Sequence, residues 1–245
     1  MSEQPHLSLV IPVYNEAKRL PPALNQLAAF CGAKTFPCEV LIVVEPSSDG
    51  TLEIASAYAA QQANFQVIAN PEHRGKGFAV RTGMLRARGE FVFYMDVDLS
   101  VPLREVSGFL AFFAAHPEID VLAGNRQHAR SRLTRRQSPL REAMGQMFNR
   151  FLQSLSLGAL RDTQCGFKAF RREAAQQIFS RQRTDGFAFD VEVLLLAERL
   201  GYKAADLPVE WVNSPESKVH IVRDSLQMLR DTLRIRRRLA AEFDA

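Results

Sequence analysis

Apolar residues fall in short, β-branched runs along the first half of the chain: Leu7 to Val13, Glu39 to Val44, Phe65 to Ala69, Glu90 to Met95 and Ile119 to Ala123. Runs of this length, bounded by turn residues, predict strands buried on both faces. Helical stretches separate them. Pro21 and Pro22 open the first, Asp49 and Thr51 the second and Pro102 the fourth, each in the early-turn position such residues favour. This alternation predicts an α/β fold of right-handed βαβ units in a doubly wound, mostly parallel sheet. Ligands of such sheets bind beyond the carboxyl ends of the strands, so the chemistry is expected in the loops that follow them.

After Asn125 the alternation loosens into an arginine-rich loop, a helix near Leu140 to Leu157, a Cys-Gly-Phe segment, a helix near Phe189 to Leu200 and a strand near Ala204 to Trp211. Phe109, Phe112 and Phe113 recur at helical spacing and predict core. Val222 to Phe243 combines Leu226, Leu229, Leu233 and Leu239 with Arg230, Arg234, Arg236, Arg237 and Arg238. Such a helix either lies on an anionic membrane surface or packs against the domain. No Gly, Ser or Pro-rich linker and no internal repeat divides the chain, so one domain over residues 1–221 is expected, followed by a basic amphipathic helix over 222–245.

The chain has 245 residues, 47% hydrophobic and 24% charged, which excludes a disordered or collagen-like polymer. A chain this long buries roughly 70% of its unfolded surface and needs no disulfide or structural metal to hold a core. Its three cysteines, Cys31, Cys38 and Cys165, lack paired CxxC spacing, which predicts reduced thiols and a cytoplasmic location. The longest apolar stretch, Val106 to Ala115, is too short to span a bilayer. Met1 to His6 lacks a basic cluster before its apolar run, so no secretory signal is expected and the mature chain should begin near Met1. A net charge of +4 and a pI near 9.1 decide little until their placement is known.

Candidate chemistry begins at Asp96-Val97-Asp98, where two carboxylates follow directly on an apolar strand. Such a pair suits a divalent cation, Mg²⁺ or Mn²⁺, which takes oxygens from carboxylates and from substrate phosphates. A turn whose carboxylates cap the next helix is the alternative. Just upstream, Asn70 to Gly77 forms a glycine-bracketed basic loop leading into a helix near Phe78. Its backbone N–H groups, with Arg74 and Lys76, suit a pyrophosphate, unless the loop is simply a solvated turn. Both elements can converge on one nucleotide diphosphate.

In these residues the chain resembles family 2 glycosyltransferases of the GT-A fold, and more narrowly the branch that glucosylates dolichyl or polyprenyl phosphate. The carriers are Val10 to Glu16, His73 to Arg81, Asp96 to Ser100 and the string Asp162-Thr163-Gln164-Cys165-Gly166-Phe167-Lys168. Phe187 to Glu192, Trp211 and Ser214 to Val219 are similar too. The resemblance implies that Pro12, Tyr14 and Glu16 line the nucleotide pocket, with Gly75, Lys76 and Val97. It also implies that Asp96 approaches the ribose or metal, that Asp98 ligates the metal, and that UDP-glucose is the donor. Relatives read Val-Asp-Asp-Gly-Ser where this chain has Val44-Glu45-Pro46-Ser47-Ser48-Asp49-Gly50. Glu45 is then expected to replace the carboxylate that addresses the base.

Arg126, Arg130, Arg132, Arg135, Arg136 and Arg141 fall in one stretch without Asp or Glu. Arginine forks bind phosphate bidentately, and a solvated basic loop is the alternative. The family comparison places Arg126 and Arg136 at a lipid phosphate, with Gln164 and Lys168 beside it. A phosphate acceptor is already anionic at pH 7, so one inverting displacement at the anomeric carbon needs little help from a base. Asp190 becomes a general-base candidate if the acceptor is instead a soluble hydroxyl; otherwise it caps its helix. Cys165, without a histidine partner, is expected to pack rather than react. A nucleic-acid-binding module would set Asp96 and Asp98 against a polyanion, so nucleic acid is not an expected partner.

Overall fold

The computed structural model describes residues 4–135, 162–212 and 221–243. The expected helix near Leu140 to Leu157, together with Arg136 and Arg141, lies outside the described residues. The first half follows the apolar runs closely. Strands β1 (Leu7–Val13), β2 (Cys38–Val44), β3 (Phe65–Ala69), β4 (Phe91–Met95) and β5 (Val121–Asn125) alternate with helices α1 (Leu20–Gly32), α2 (Thr51–Ala59), α3 (Lys76–Arg86) and α4 (Glu105–Ala115). Pro21 and Pro22 occupy the first turn of α1, where a missing N–H costs nothing. Asp49 accepts from Thr51 N at 3.2 Å before α2, whereas Pro102 lies in the turn ahead of α4 rather than inside it.

The second half departs from expectation in its strands, whereas the helices expected near Phe189 to Leu200 and over Val222 to Phe243 are observed. Short strand β6 (Arg132–Arg135) is followed by β7 (Phe167–Arg171), α5 (Arg172–Arg181), α6 (Phe189–Arg199), β8 (Ala204–Pro208), β9 (Glu210–Val212) and α7 (Ile221–Phe243). The strand expected over Ala204 to Trp211 is thus two strands, one in each of two sheets. The main sheet has the order β3-β2-β1-β4-β7-β5-β8, and β6 pairs with β9 in a small second sheet. All neighbours in the main sheet run parallel except β7, which lies antiparallel between β4 and β5. Its register sets Lys168 opposite Tyr94 on one side and Ala123 on the other, so a lysine sits in the centre of the sheet.

Both faces of the sheet are covered, as parallel strands require. Leu7, Leu9, Ile11 and Val13 face one buried cluster with α1 and α4, and Val10 faces the other with α3, α5, α6 and α7. Phe109 and Phe113 are buried as expected and Phe112 is half-buried. The Phe109 and Phe167 rings meet edge to face at 4.8 Å, an arrangement that adds about 1 kcal/mol beyond area burial. Helix α7 packs through Ile235 and Leu239, which join the same core as α6. Among the described residues, no helix is long and apolar enough to cross a membrane.

One expectation is corrected here. Cys31 near the end of α1 and Cys38 at the start of β2 are paired in a disulfide, because the return from helix to strand brings their Cα atoms to 5.7 Å. The argument for a reducing compartment drawn from these cysteines falls with it. Cys165 is the free thiol and is buried, as a packing role requires.

Candidate active site

The site forms where the loops after β1, β2 and β4 meet the start of α3. Beyond Met95 the chain turns at once: Leu99 N donates to Asp96 O at 3.0 Å, and Val97 anchors the turn in the core. Leu99 has a φ of 48°, in the left-handed region that costs a side chain of order 1 kcal/mol. The turn holds Asp96 and Asp98 within reach of two cations. Lys76 Nζ lies 2.6 Å from Asp96 Oδ1, and Arg19 Nη1 lies 3.9 Å from Asp98 Oδ2. Burial alone would lower the Lys76 pKa, but the carboxylates of Asp96, Asp190 and Asp98 raise it, so the ammonium stays charged. Arg19 also donates Nε to Glu16 Oε2 at 2.6 Å, which ties the Pro12 to Glu16 loop to Asp98.

The loop after β3 is held mainly by acids. Glu45, buried at the end of β2, accepts Asn70 Nδ2 (2.7 Å), Arg74 N (2.8 Å) and Gly75 N (3.0 Å), and His73 Nδ1 lies 2.8 Å from the same carboxylate. Glu45 was expected to address a base; in the structure its carboxylate engages the basic loop. The His73 ring stacks on Tyr14 with centroids 4.0 Å apart, which closes the same mouth from the β1 side. The N–H groups at the start of α3 are also engaged: Gly77 N and Phe78 N donate to Asp185 O at 2.7 and 3.2 Å. Lys76 is thus the element of this loop that meets a carboxylate of the Asp96-Val97-Asp98 turn.

On the other side, Arg126 grips Asp162 with Nε (2.7 Å), Nη2 (2.9 Å) and its backbone N (3.0 Å), beside the Trp211 ring. Burial would raise the Asp162 pKa, but Arg126 outweighs it and holds the carboxyl below its ordinary range. Gln164 reaches Met228 of α7. Lys168, expected at an acceptor phosphate, is wholly buried, and its ammonium donates to Asp190 Oδ1 (2.5 Å) and Cys165 O (2.8 Å). Tyr94 OH donates to the same Asp190 oxygen at 2.6 Å. The structure thus engages the Lys168 ammonium inside the sheet with Asp190 and Cys165 O, and its expected place at an acceptor phosphate stays a proposal.

Burial pushes the Cys165 thiol up to about 12, with Arg126 only partly opposing it. At pH 8 about one thiol in ten thousand is then thiolate, which predicts that iodoacetamide leaves Cys165 unmodified in the folded protein and alkylates it in denaturant. Mass mapping of the Cys165 peptide after native labelling checks this, and rapid native labelling would contradict it.

Three residues central to this geometry were not singled out from sequence. Gly166 faces Asp96, Asp185 caps α3, and Arg19 joins Glu16 to Asp98. The glycine inside the Asp162 to Lys168 string was a usable signal. Asp185 carried none, because its partner Arg74 is 111 positions away.

Residues 8–179 match the family described as Glycosyl transferase family 2. The chain belongs to that family. This family 2 glycosyltransferase is 33% identical over 241 residues to a dolichyl-phosphate beta-glucosyltransferase of Dictyostelium discoideum, covering 94% of this chain and 74% of the relative. A protein of the same name from Mus musculus is 34% identical, covering 95% of this chain and 75% of the relative. Among solved structures, a mannosyltransferase from Pyrobaculum calidifontis in complex with GDP-Man and Mn²⁺ superposes with a TM-score of 0.64 at 21% identity, over 95% of this chain and 65% of that one. A glucosyl-3-phosphoglycerate synthase from Mycobacterium tuberculosis in complex with Mg²⁺ and UDP gives 0.70 at 18% identity, over 94% and 79%. The expected GT-A architecture is thereby shown, and the protein is a glycosyltransferase.

Proposed function

We propose that this glycosyltransferase moves glucose from UDP-glucose to a polyprenyl phosphate, with inversion and with Mg²⁺ or Mn²⁺. The observation that carries the donor half is the convergence of Lys76, Asp96 and Asp98 at the end of β4. The relatives named as dolichyl-phosphate beta-glucosyltransferases support the sugar and the acceptor. Asp96 and Asp98 fit a hard divalent ion through two carboxylates that leave further positions to diphosphate oxygens. Among the described residues, no group of three or more His, Cys, Asp or Glu residues is placed to hold a metal. Bound there, the ion would offset the charge that develops on the departing UDP. Lys76 meets the same charge from the α3 side.

The phosphate oxygen of the acceptor attacks the anomeric carbon, the bond to UDP breaks, and UDP leaves with the electron pair. In this reading Arg126 orients that acceptor. Asp162 occupies its Nε and Nη2, so a phosphate would meet the remaining guanidinium edge. Arg136, Gln164 and Lys168 stay in the proposal as further acceptor contacts. A soluble hydroxyl acceptor with Asp190 as base is the less favoured reading, since Asp190 Oδ1 already takes both Tyr94 OH and Lys168 Nζ. The outer face of α7 exposes Leu226, Leu233 and Phe243 among basic residues, and we include peripheral contact with anionic lipid in the reading.

The test is transfer of labelled glucose from UDP-glucose into organic-extractable polyprenyl phosphate, with and without chelator. Transfer abolished by chelation and restored by Mg²⁺ or Mn²⁺ is expected. UDP binding with no labelled lipid, but labelled soluble product, would overturn the acceptor half.

A further inference from the structure

The carboxylate of Glu192 is fully buried in the first turn of α6. It accepts Arg183 N at 2.8 Å, Thr184 N at 2.7 Å and the guanidinium of Arg238 from α7. Arg238 thus closes a buried ion pair whose acid holds the backbone of residues 183 and 184. The next residue carries the contact onward. Asp185 O accepts Gly77 N and Phe78 N, and Asp185 Oδ2 accepts Arg74 Nε (2.8 Å) and Nη2 (2.5 Å).

Segment 183–185 and loop 74–78 meet backbone to backbone, and only glycine permits it. A Cβ at Gly75, where φ is 120°, would lie 2.8 Å from Asp185 O, and one at Gly77 would lie 2.7 Å from Phe189 Cβ. The far side of the loop is fixed by Glu45. Between these two clasps the backbone around Lys76 is held, and Lys76 reaches Asp96 from there.

We propose that Arg238 is a positioning residue for the donor-diphosphate loop, acting through Glu192 and Asp185. The proposal rests on the reading of that loop as part of the donor site. Without Arg238, Glu192 is a buried carboxylate stripped of its cation, a state relieved only by letting water in or moving the first turn of α6. Either response loosens residues 183 and 184, and with them the carbonyl that caps α3. Room for it exists. An open groove of about 340 Å³ lies between α7 and residues 184–186, lined in part by Asp185, Asp231, Arg234 and Arg238. If α7 served only as apolar padding, Ile235 would matter as much as Arg238.

Hydrogen exchange of Arg238→Ala, Arg238→Lys and Ile235→Ala separates the two. In Arg238→Ala the amides of Gly77 and Phe78 should exchange about tenfold faster relative to those of Leu9 and Ile11, a size such networks reach. The KM for UDP-glucose should rise by a similar factor while kcat stays within about twofold. Arg238→Lys should recover part of both effects, and Ile235→Ala should loosen α7 without reaching Gly77. Unchanged protection at Gly77 and Phe78 in Arg238→Ala, or equal loss in Ile235→Ala, would overturn the proposal. Should Arg238→Ala not fold, Arg238→Gln, which keeps much of the stem and removes the charge, decides in its place, with protection equal to that of the wild type counting against the brace. A wild type inactive on UDP-glucose defeats the donor reading, while the exchange data still judge the brace.

Discussion

Lys168→Met should cost the fold about 3–5 kcal/mol, the size expected when one partner of a buried ion pair is removed. Methionine matches the lysine stem in length, so little of the loss comes from a void. The cost falls on what is left behind. Asp190 keeps Tyr94 OH but loses its cation, and Cys165 O loses its donor, both in the closed interior between β4, β7 and α6. Burial first, and then Asp190, hold the Tyr94 phenol well above its ordinary pKa, so Tyr94 remains a donor over the whole working range. It cannot supply the missing charge. Urea unfolding should show a lower midpoint with an unchanged slope, and the double variant Lys168→Met with Asp190→Asn should regain part of the loss. A loss below about 1 kcal/mol would mean that water replaces the ammonium in the variant.

The same lysine shows why the two halves of the chain were unequally legible. β1, β2 and β4 announce themselves because strands covered on both faces are apolar almost throughout, and the single polar residues of Leu7 to Val13 and Glu39 to Val44, Ser8 and Glu39, lie near the strand starts where they do not break the run. β7 is buried just as deeply, yet its centre carries Lys168, whose compensation by Asp190 lies 22 positions away. Local pattern cannot reveal a charge cancelled at long range. The candidate site followed the same rule. Asp96, Asp98 and Lys76 were legible because each ends a strand or opens a helix, where a doubly wound sheet gathers its loops. The engagement of Glu45 with the 74–75 backbone and of Asp185 with Arg74 was not, because each depends on which loops touch. Cys31 and Cys38 misled for a related reason: their spacing fits no motif, and only the α1 to β2 return brings them together.

Gly166→Ala should reduce kcat/KM by about 100-fold, the scale on which a displacement near 1 Å is felt in a catalytic site. The register of β4 and β7 pairs Met95 with Phe167, so Gly166 lies beside Asp96 at the edge of the ladder. A Cβ there would fall 2.7 Å from Asp96 Cγ and collide with Asp96 Oδ2. Either the carboxylate turns away from Lys76, now 2.6 Å distant, or β7 shifts with Lys168 and Cys165 behind it. The first response is cheaper. Asp96 is 41% exposed and can rotate into solvent, whereas β7 is locked by hydrogen bonds on both sides. Stability should therefore change by less than about 1 kcal/mol while transfer falls, the reverse of the Lys168→Met result. Transfer kinetics and urea unfolding on the same preparation give both numbers. Activity within about fivefold of the wild type would show that the Asp96 carboxylate is not needed where β4 and β7 hold it, and would remove it from the proposed donor site.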